Sequence, residues 1–362
     1  MKYKQLVILL CSILLLSSFA SATIILTNND IINHDQEIIY INQSVLTDAG
    51  CDGVNNFASL TYNGDTIDHE YYNNTKTSLY FIANWTITAS GGTSEVTLDC
   101  SEVTDQSTTI FLLKDDFEDG DVSDWSFAGQ TGHNEEIGIT TNAQQGEYSI
   151  VAENVSQGYE VTAYKNLDTT ITTDFVYATF YGLSEDIGLN VGQIRFQLQD
   201  TSGTRAEDSL NLIFQNNDHY VDWYDTGYHT TSVYWDWDTW YSITMGINPN
   251  VDANGIYYHN NTIIEDEMIP IATLDNIGKF SLYFYGYSNP TIDYLFVGLN
   301  NMSVYLNPSS ISIEIIPAFS QSSTATDTDP ETEDTNTPLN LSIVWTCENC
   351  NATGTDTTID GI

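Results

Sequence analysis

The sequence predicts an all-β protein built of two successive sandwiches, and two observations carry that expectation. Short runs rich in Ile, Thr, Tyr and Val alternate apolar with polar residues between Asn, Gly and Asp clusters, as in QEIIYINQSV, SLYFIANWTITAS, GQIRFQLQDTSG and KFSLYFYGYS. Helical spacing of apolar residues is scarce, and 362 residues are enough for two cores with additional pieces.

The chain opens on a targeting pattern. Lys2 and Lys4 precede an apolar run from Leu6 to Leu16, and Ala20-Ser21-Ala22 offers the small residues a signal peptidase cuts. Residues 1–22 are therefore expected to be a secretory signal peptide, Cys11 included, and the mature chain to be secreted or displayed at the cell surface. No later segment reaches the roughly 18 apolar residues of a spanning helix.

Residues 23–113 look like a small immunoglobulin-like β-sandwich. Leu79, Phe81, Ala83 and Trp85 share one strand face, as do Val96, Leu98 and Cys100. The immunoglobulin spacing from cysteine to tryptophan is absent, so a disulfide stapling a loop to a strand is expected. Among the three connectivities open to four mature cysteines, Cys51 with Cys100 and Cys347 with Cys350 is the economical pairing in an oxidising compartment. CxxC occurs once, at Cys347 and Cys350, too little for a zinc site.

Phe111-Leu112-Leu113-Lys114 runs into the next region without a flexible spacer, so the two sandwiches should dock. Asp115, Asp116, Glu118, Asp119, Asp121 and Asp124 crowd the opening DDFEDGDVSDW, a density of hard oxygen donors that suits calcium. The alternative is a solvated turn, where Asp is favoured for its own reasons. The opening motif followed by GEYSI resembles the first strand of jelly-roll carbohydrate-binding modules. WYSITMGIN, the predicted hairpin IYYHNNTII and the closing IDYLFVGL resemble laminin-G-like, concanavalin A-like domains. The resemblance spans residues 115–306 and implies two stacked antiparallel sheets. It also implies a structural Ca2+ held by Glu118 and Asp293, with Asp116 and Asp119 as neighbours.

A second candidate site is aromatic. Trp223, Trp235, Trp237 and Trp240 lie in YVDWYDTGYHTTSVYWDWDTWY with several tyrosines. Exposed rings suit the CH-rich face of a sugar, and nearby carboxylates accept its hydroxyl hydrogens. Trp235, Trp237 and Tyr241, flanking a WDWD turn with Asp236 and Asp238, are the expected ligand-binding set. Most of the other rings are expected in the core, where Tyr241, Ile243, Met245 and Ile247 share one strand face and Trp240 takes the other.

Charge and motifs exclude several functions. Eight Lys and Arg against 50 Asp and Glu give a formal charge of −42, and no basic stripe exists to neutralise phosphates, so nucleic acid is not a partner. No ExDxxE strand, GxSxG elbow, HExxH pair or phosphate-binding glycine loop occurs, so no enzyme is expected. Sequons at Asn42, Asn73, Asn84, Asn154, Asn260, Asn301, Asn340 and Asn351 permit a glycoprotein.

Residues 307–338 are expected to be a Ser/Thr/Asp-rich linker, because Ala318 to Pro338 cannot bury enough apolar surface to fold. Residues 339–362, with the CxxC, offer one strand, a cysteine-bounded turn and a second strand. The expected function is adhesion through a jelly roll that binds glycans or glycosylated partners. A structural envelope component without soluble ligand is the first alternative and a glycan-active hydrolase the second.

Overall fold

The computed structural model describes residues 21–324 together with 342–345 and 355–356, apart from breaks at 73, 130–135, 154–159, 186–191, 202–208, 216–218, 225–226, 252–253, 271–273, 287–288, 305–310 and 318–320. Residues 1–20 of the expected signal peptide, the Cys347–Cys350 pair and most of the expected linker lie outside those residues, while Ser21 and Ala22, the last two residues of the expected peptide, begin a strand. No helix among the described residues is long and apolar enough to cross a membrane.

The first part of the chain supplies β1 (Ser21–Asn28), β2 (Glu37–Ile41), the short helix α1 (Gln43–Asp48), β3 (Phe57–Tyr62), β4 (Asp65–Ile67), β5 (His69–Tyr71), β6 (Leu79–Ala83), β7 (Gly92–Glu102) and β8 (Phe111–Asp115). The next set is β9 (Ser126–Gly129), β10 (Glu136–Thr140), β11 (Ser149–Glu153), β12 (Glu160–Ile171), β13 (Val176–Glu185), β14 (Gly192–Gln199) and β15 (Ser209–Gln215). Then follow β16 (Tyr220–Tyr224), β17 (Tyr228–Tyr234), β18 (Tyr241–Ile247), β19 (Gly255–His259), β20 (Thr262–Met268), β21 (Ile277–Gly286) and β22 (Asn289–Gly298). Last come β23 (Ile311–Pro317), β24 (Gln321–Thr324), β25 (Ser342–Trp345) and β26 (Thr355–Asp356).

Two sheets make the first sandwich, in the orders β23-β1-β7-β3-β4 and β2-β6-β5. Strict alternation builds it. In β7, Ser94, Val96, Leu98 and Cys100 face inward while Glu95, Thr97 and Asp99 face out. Cys51 and Cys100 form a disulfide with Cα atoms 4.9 Å apart, tying the segment after α1 to β7. One boundary differs from expectation. Ile311–Pro317, assigned by composition to the linker, is a strand that pairs along the whole of β1, from Ala22 opposite Pro317 to Asn28 opposite Ile311. The sequence ISIEIIP has the alternation of a strand, and β1 would otherwise be an open edge. The segment 321–324, also within the expected linker, pairs with β25, which in turn pairs with β26.

The second unit is a two-sheet jelly roll. One sheet runs β10-β11-β22-β13-β18-β19-β20 with β8 also on β22, and the other runs β17-β16-β15-β14-β21-β12-β9. A single apolar core fills the space between them. The hairpin IYYHNNTII forms as β19 and β20, with Asn260 and Asn261 at φ of 48° and 61°, the left-handed pair a tight hairpin requires. Tyr241, Ile243, Met245 and Ile247 of β18 enter the core, and Trp240 packs elsewhere, as the parity implies.

The two units are welded along a dry seam. Ile38, Tyr80 and Ile82 from the first sandwich pack with Phe111, Tyr181, Tyr294, Phe296, Met302 and Val304. β6 is buried on both sides for this reason: Leu79, Phe81 and Ala83 fill its own sandwich while Tyr80 and Ile82 fill the seam. Glu70 adds a polar clamp, accepting from the backbone N–H of Ile110 at 2.8 Å and of Phe111 at 3.0 Å and pairing with Lys114.

Candidate functional site

The outer face of the seven-stranded sheet gathers amides, hydroxyls, rings and cations. It arises from parity. β14 sends Ile194, Phe196 and Leu198 into the core, which leaves Gln193, Arg195, Gln197 and Gln199 on the opposite face. β15 likewise leaves Ser209 and Asn211, β16 leaves Tyr220, Asp222 and Tyr224, β21 leaves Lys279, Ser281 and Tyr283, and β12 leaves Tyr164. Register aligns them into rows. Gln197 stands between Ser281 and Asn211, Arg195 is opposite Tyr283, and Tyr164 is opposite Ser281.

The face has two layers. Its floor is a buried amide and hydroxyl network in which Gln197 Nε2 donates to Asn211 Oδ1 at 2.6 Å. Ser281 Oγ donates to Gln197 Oε1 at 3.1 Å, and Gln199 Nε2 to the same oxygen at 3.3 Å. Buried polar groups that satisfy one another in this way fix each other's orientation. Above them lie rings and cations, all partly exposed. The Arg195 guanidinium sits 4.9 Å from the Tyr283 ring centroid and 6.0 Å from that of Tyr224, and Lys279 Nζ is 5.5 Å from that of Tyr164. Arg195 Nη2 donates to Gln193 Oε1 at 2.9 Å, and Gln193 Nε2 donates to Tyr228 Oη at 3.0 Å. Two of the chain's eight basic residues thus share one face of a strongly acidic protein. Asp222 of β16 adds a buried carboxylate to this face, and Asp168 of β12 an exposed one. This surface was not singled out from the sequence.

The WDWD set is only partly where expectation put it. Trp235 is 1% exposed and belongs to the jelly-roll core, against Phe214 at 5.8 Å between centroids. It continues the inward parity of Val233 beyond the end of β17, which corrects its assignment as an exposed ligand platform. Trp237 is partly buried against the same core, and Tyr241 is buried with its Oη accepting from the Asp236 N–H at 2.7 Å. Asp236 and Asp238 are exposed on the turn, Asp238 at φ 55°. The accessible rings here are instead Tyr234, 53% exposed, Tyr228, 49% exposed, and Tyr220, 39% exposed.

The acid-rich opening also divides. Asp115 accepts from Trp125 Nε1 at 2.7 Å and from Lys165 Nζ at 2.8 Å. Asp116 receives the hydroxyls of Tyr72 at 2.9 Å and Tyr80 at 3.0 Å, so it latches the seam. Asp119 accepts from the Asp121 N–H within its own turn at 3.0 Å. Glu118 alone approaches Asp293, through the loop 144–148. Its carboxylate accepts from the N–H groups of Glu147 and Tyr148, while Asp293 Oδ2 accepts from those of Gln144 at 2.9 Å and Gln145 at 2.7 Å. Gly146, at φ 75°, sits so close to Glu118 that a Cβ would lie 2.2 Å from its Oε1. Asp293 precedes a β-bulge at Tyr294, φ 55°, and its Oδ1 is buried with no hydrogen-bond partner among the described residues. Burial, and then the nearby charge of Glu118, push its carboxyl up to about 7 against the lowering effect of the loop N–H groups. Among the described residues no group of three or more His, Cys, Asp or Glu side chains converges.

No family model matches the sequence, and no curated protein matches it. Solved structures show a likeness over about half the chain. A sialidase superposes with a TM-score of 0.42 at 9% identity over 58% of this chain and 20% of its own, so the chain spans about a fifth of that protein. The cellulose induced protein Cip1 gives 0.40 at 13% identity over 53% of this chain and 99% of its own. The globular domain of T. cruzi calreticulin gives 0.41 at 9% identity over 53% and 89%.

Proposed function

We propose that the protein is a secreted or cell-surface glycan-binding protein whose jelly roll engages an oligosaccharide on the outer face of its seven-stranded sheet. The observation that carries this is the two-layer face: an amide and hydroxyl floor under Tyr164, Tyr224 and Tyr283, with Arg195 between the last two. Rings offer flat stacking surfaces, and amides and Arg195 offer directional partners for ring hydroxyls.

The Glu118 and Asp293 corner fits the Ca2+ that the resemblance implies. The orphaned Oδ1 of Asp293 is a buried anionic donor without a partner, which a divalent cation would satisfy, and carboxylate and loop oxygens are the donors calcium prefers. Bound there, the ion would supply positive charge that holds both carboxylates ionised and anchors the loop 144–148. Asp116 and Asp119 serve other partners and are not included.

The test is a glycan array probed with the whole chain in calcium and again in chelator, beside Tyr283→Ala and Arg195→Ala. Binding that either substitution weakens at least tenfold, about 1.4 kcal/mol, places the ligand on this face. A folded chain that binds no glycan in either condition would instead favour a structural envelope component.

A further inference from the structure

A second concavity lies away from the sheet face, between the two sandwiches. It has a volume of about 590 Å3, within the few-hundred to thousand Å3 range of small-ligand sites. The first sandwich contributes Tyr62, Asp68, Asn84 and Trp85, and the loop after β22 contributes Asn300 and Asn301. Tyr62 and Trp85 are stacked with centroids 3.8 Å apart and planes 6° from parallel. The Trp85 Nε1 is buried without an acceptor among the described residues. Such an unmet donor calls for an explanation.

The lining fixes the ligand's chemistry. Among the described residues no Lys, Arg or His contributes, so none of them offsets the desolvation of a phosphate, sulfate or carboxylate group. Four side-chain amides, of Gln36, Asn84, Asn300 and Asn301, supply both donors and acceptors, Asp65 and Asp68 accept only, and the stacked pair offers an aromatic wall. Hydroxyls match that mixture, since each can donate and accept. We infer that this groove is a second binding site, one for a neutral oligosaccharide that contacts both sandwiches at once. The site is assembled only because the seam fixes the loop at Asn300 and Asn301 against the first sandwich. It does not rest on the sheet-face proposal, because the two sites share no residue.

Hydrogen exchange on the whole chain tests it, using cellohexaose, xylohexaose, mannohexaose and laminarihexaose as probes, with hexalysine and a heparin hexasaccharide as charged controls. Asn84 and Asn301 each head a sequon, so the material should come from a host without N-glycosylation. At least one neutral hexasaccharide should slow exchange at residues 62–68, 84–85 and 299–301. The sugar concentration needed for that protection should rise at least tenfold in Trp85→Ala, and the same local protection should persist in Tyr283→Ala even where that variant loses binding at the sheet face. Because Trp85 also packs on the core, Asn301→Ala, at a loop position, provides a variant that keeps the fold and should weaken the same protection. Absence of protection with all four neutral sugars would overturn the inference, as would protection there by hexalysine or the heparin hexasaccharide alone.

Discussion

At Glu37, burial and partnership oppose each other. The residue lies at the seam beside Tyr181 and Tyr294, and loss of solvent pushes its carboxyl up to about 7, although His34, with Nδ1 3.3 Å away, pulls the other way. The folded state therefore holds the proton more tightly than the unfolded chain, whose value is 4.5. This contribution to stability is fully present below pH 4.5, declines as pH rises toward 7, and is a constant cost above. At full effect it amounts to about 3 kcal/mol. Glu37→Gln should make the pH dependence between 5 and 8 shallower and raise stability at pH 8, read from urea unfolding; parallel slopes for both proteins would refute the assignment. Trp235→Ala should cost about 3–5 kcal/mol as a core truncation, with glycan affinity unchanged when measured below its unfolding transition. Trp235 illustrates where sequence was silent. Alternation beyond the end of β17 keeps it inward, but Asp236 and Asp238 on either side of Trp237 made the whole turn look exposed. Glu118 and Asp293, by contrast, were named only through resemblance, and both accept hydrogen bonds from N–H groups of the loop 144–148.

Among elements, β23 matters beyond its seven residues. Ending the chain at residue 304 would strip β1 of one of its two partners and move the sheet's edge from β23, which carries Glu314 and ends at Pro317, to β1, which has neither charge nor proline. Such a protein should form dimers or larger species in size-exclusion chromatography, whereas one ending at residue 324 should not. The seam is sensitive in another way. Asp116→Ala would leave the Tyr72 and Tyr80 hydroxyls without their acceptor and should cost about 1–3 kcal/mol for each buried group. Strands themselves were readable, because GQIRFQLQ and KFSLYFYGYS alternate clearly. The polar face was not, since its rows join β14 to β21, some eighty residues later, and register between distant strands is invisible in a single sequence. β23 was missed because it adjoins a stretch whose composition reads as linker.

At the scale of the molecule, a formal charge of −42 makes general screening and specific binding easy to confuse. Calcium at millimolar concentration should raise the melting temperature by several degrees, on the order of 1–3 kcal/mol. Sodium chloride at matched ionic strength should not reproduce that gain, and Asp293→Asn should abolish it in differential scanning calorimetry. The return of the chain to its starting sheet has a mechanical consequence. Since Thr23 faces Ile316, the polypeptide enters and leaves the body at neighbouring points. Tension applied through residues 23 and 317 would pass directly between β1 and β23, opening their ladder one rung at a time from that end. The jelly roll lies outside this load path, so a tether could be strained at its base while the sheet face above kept its shape.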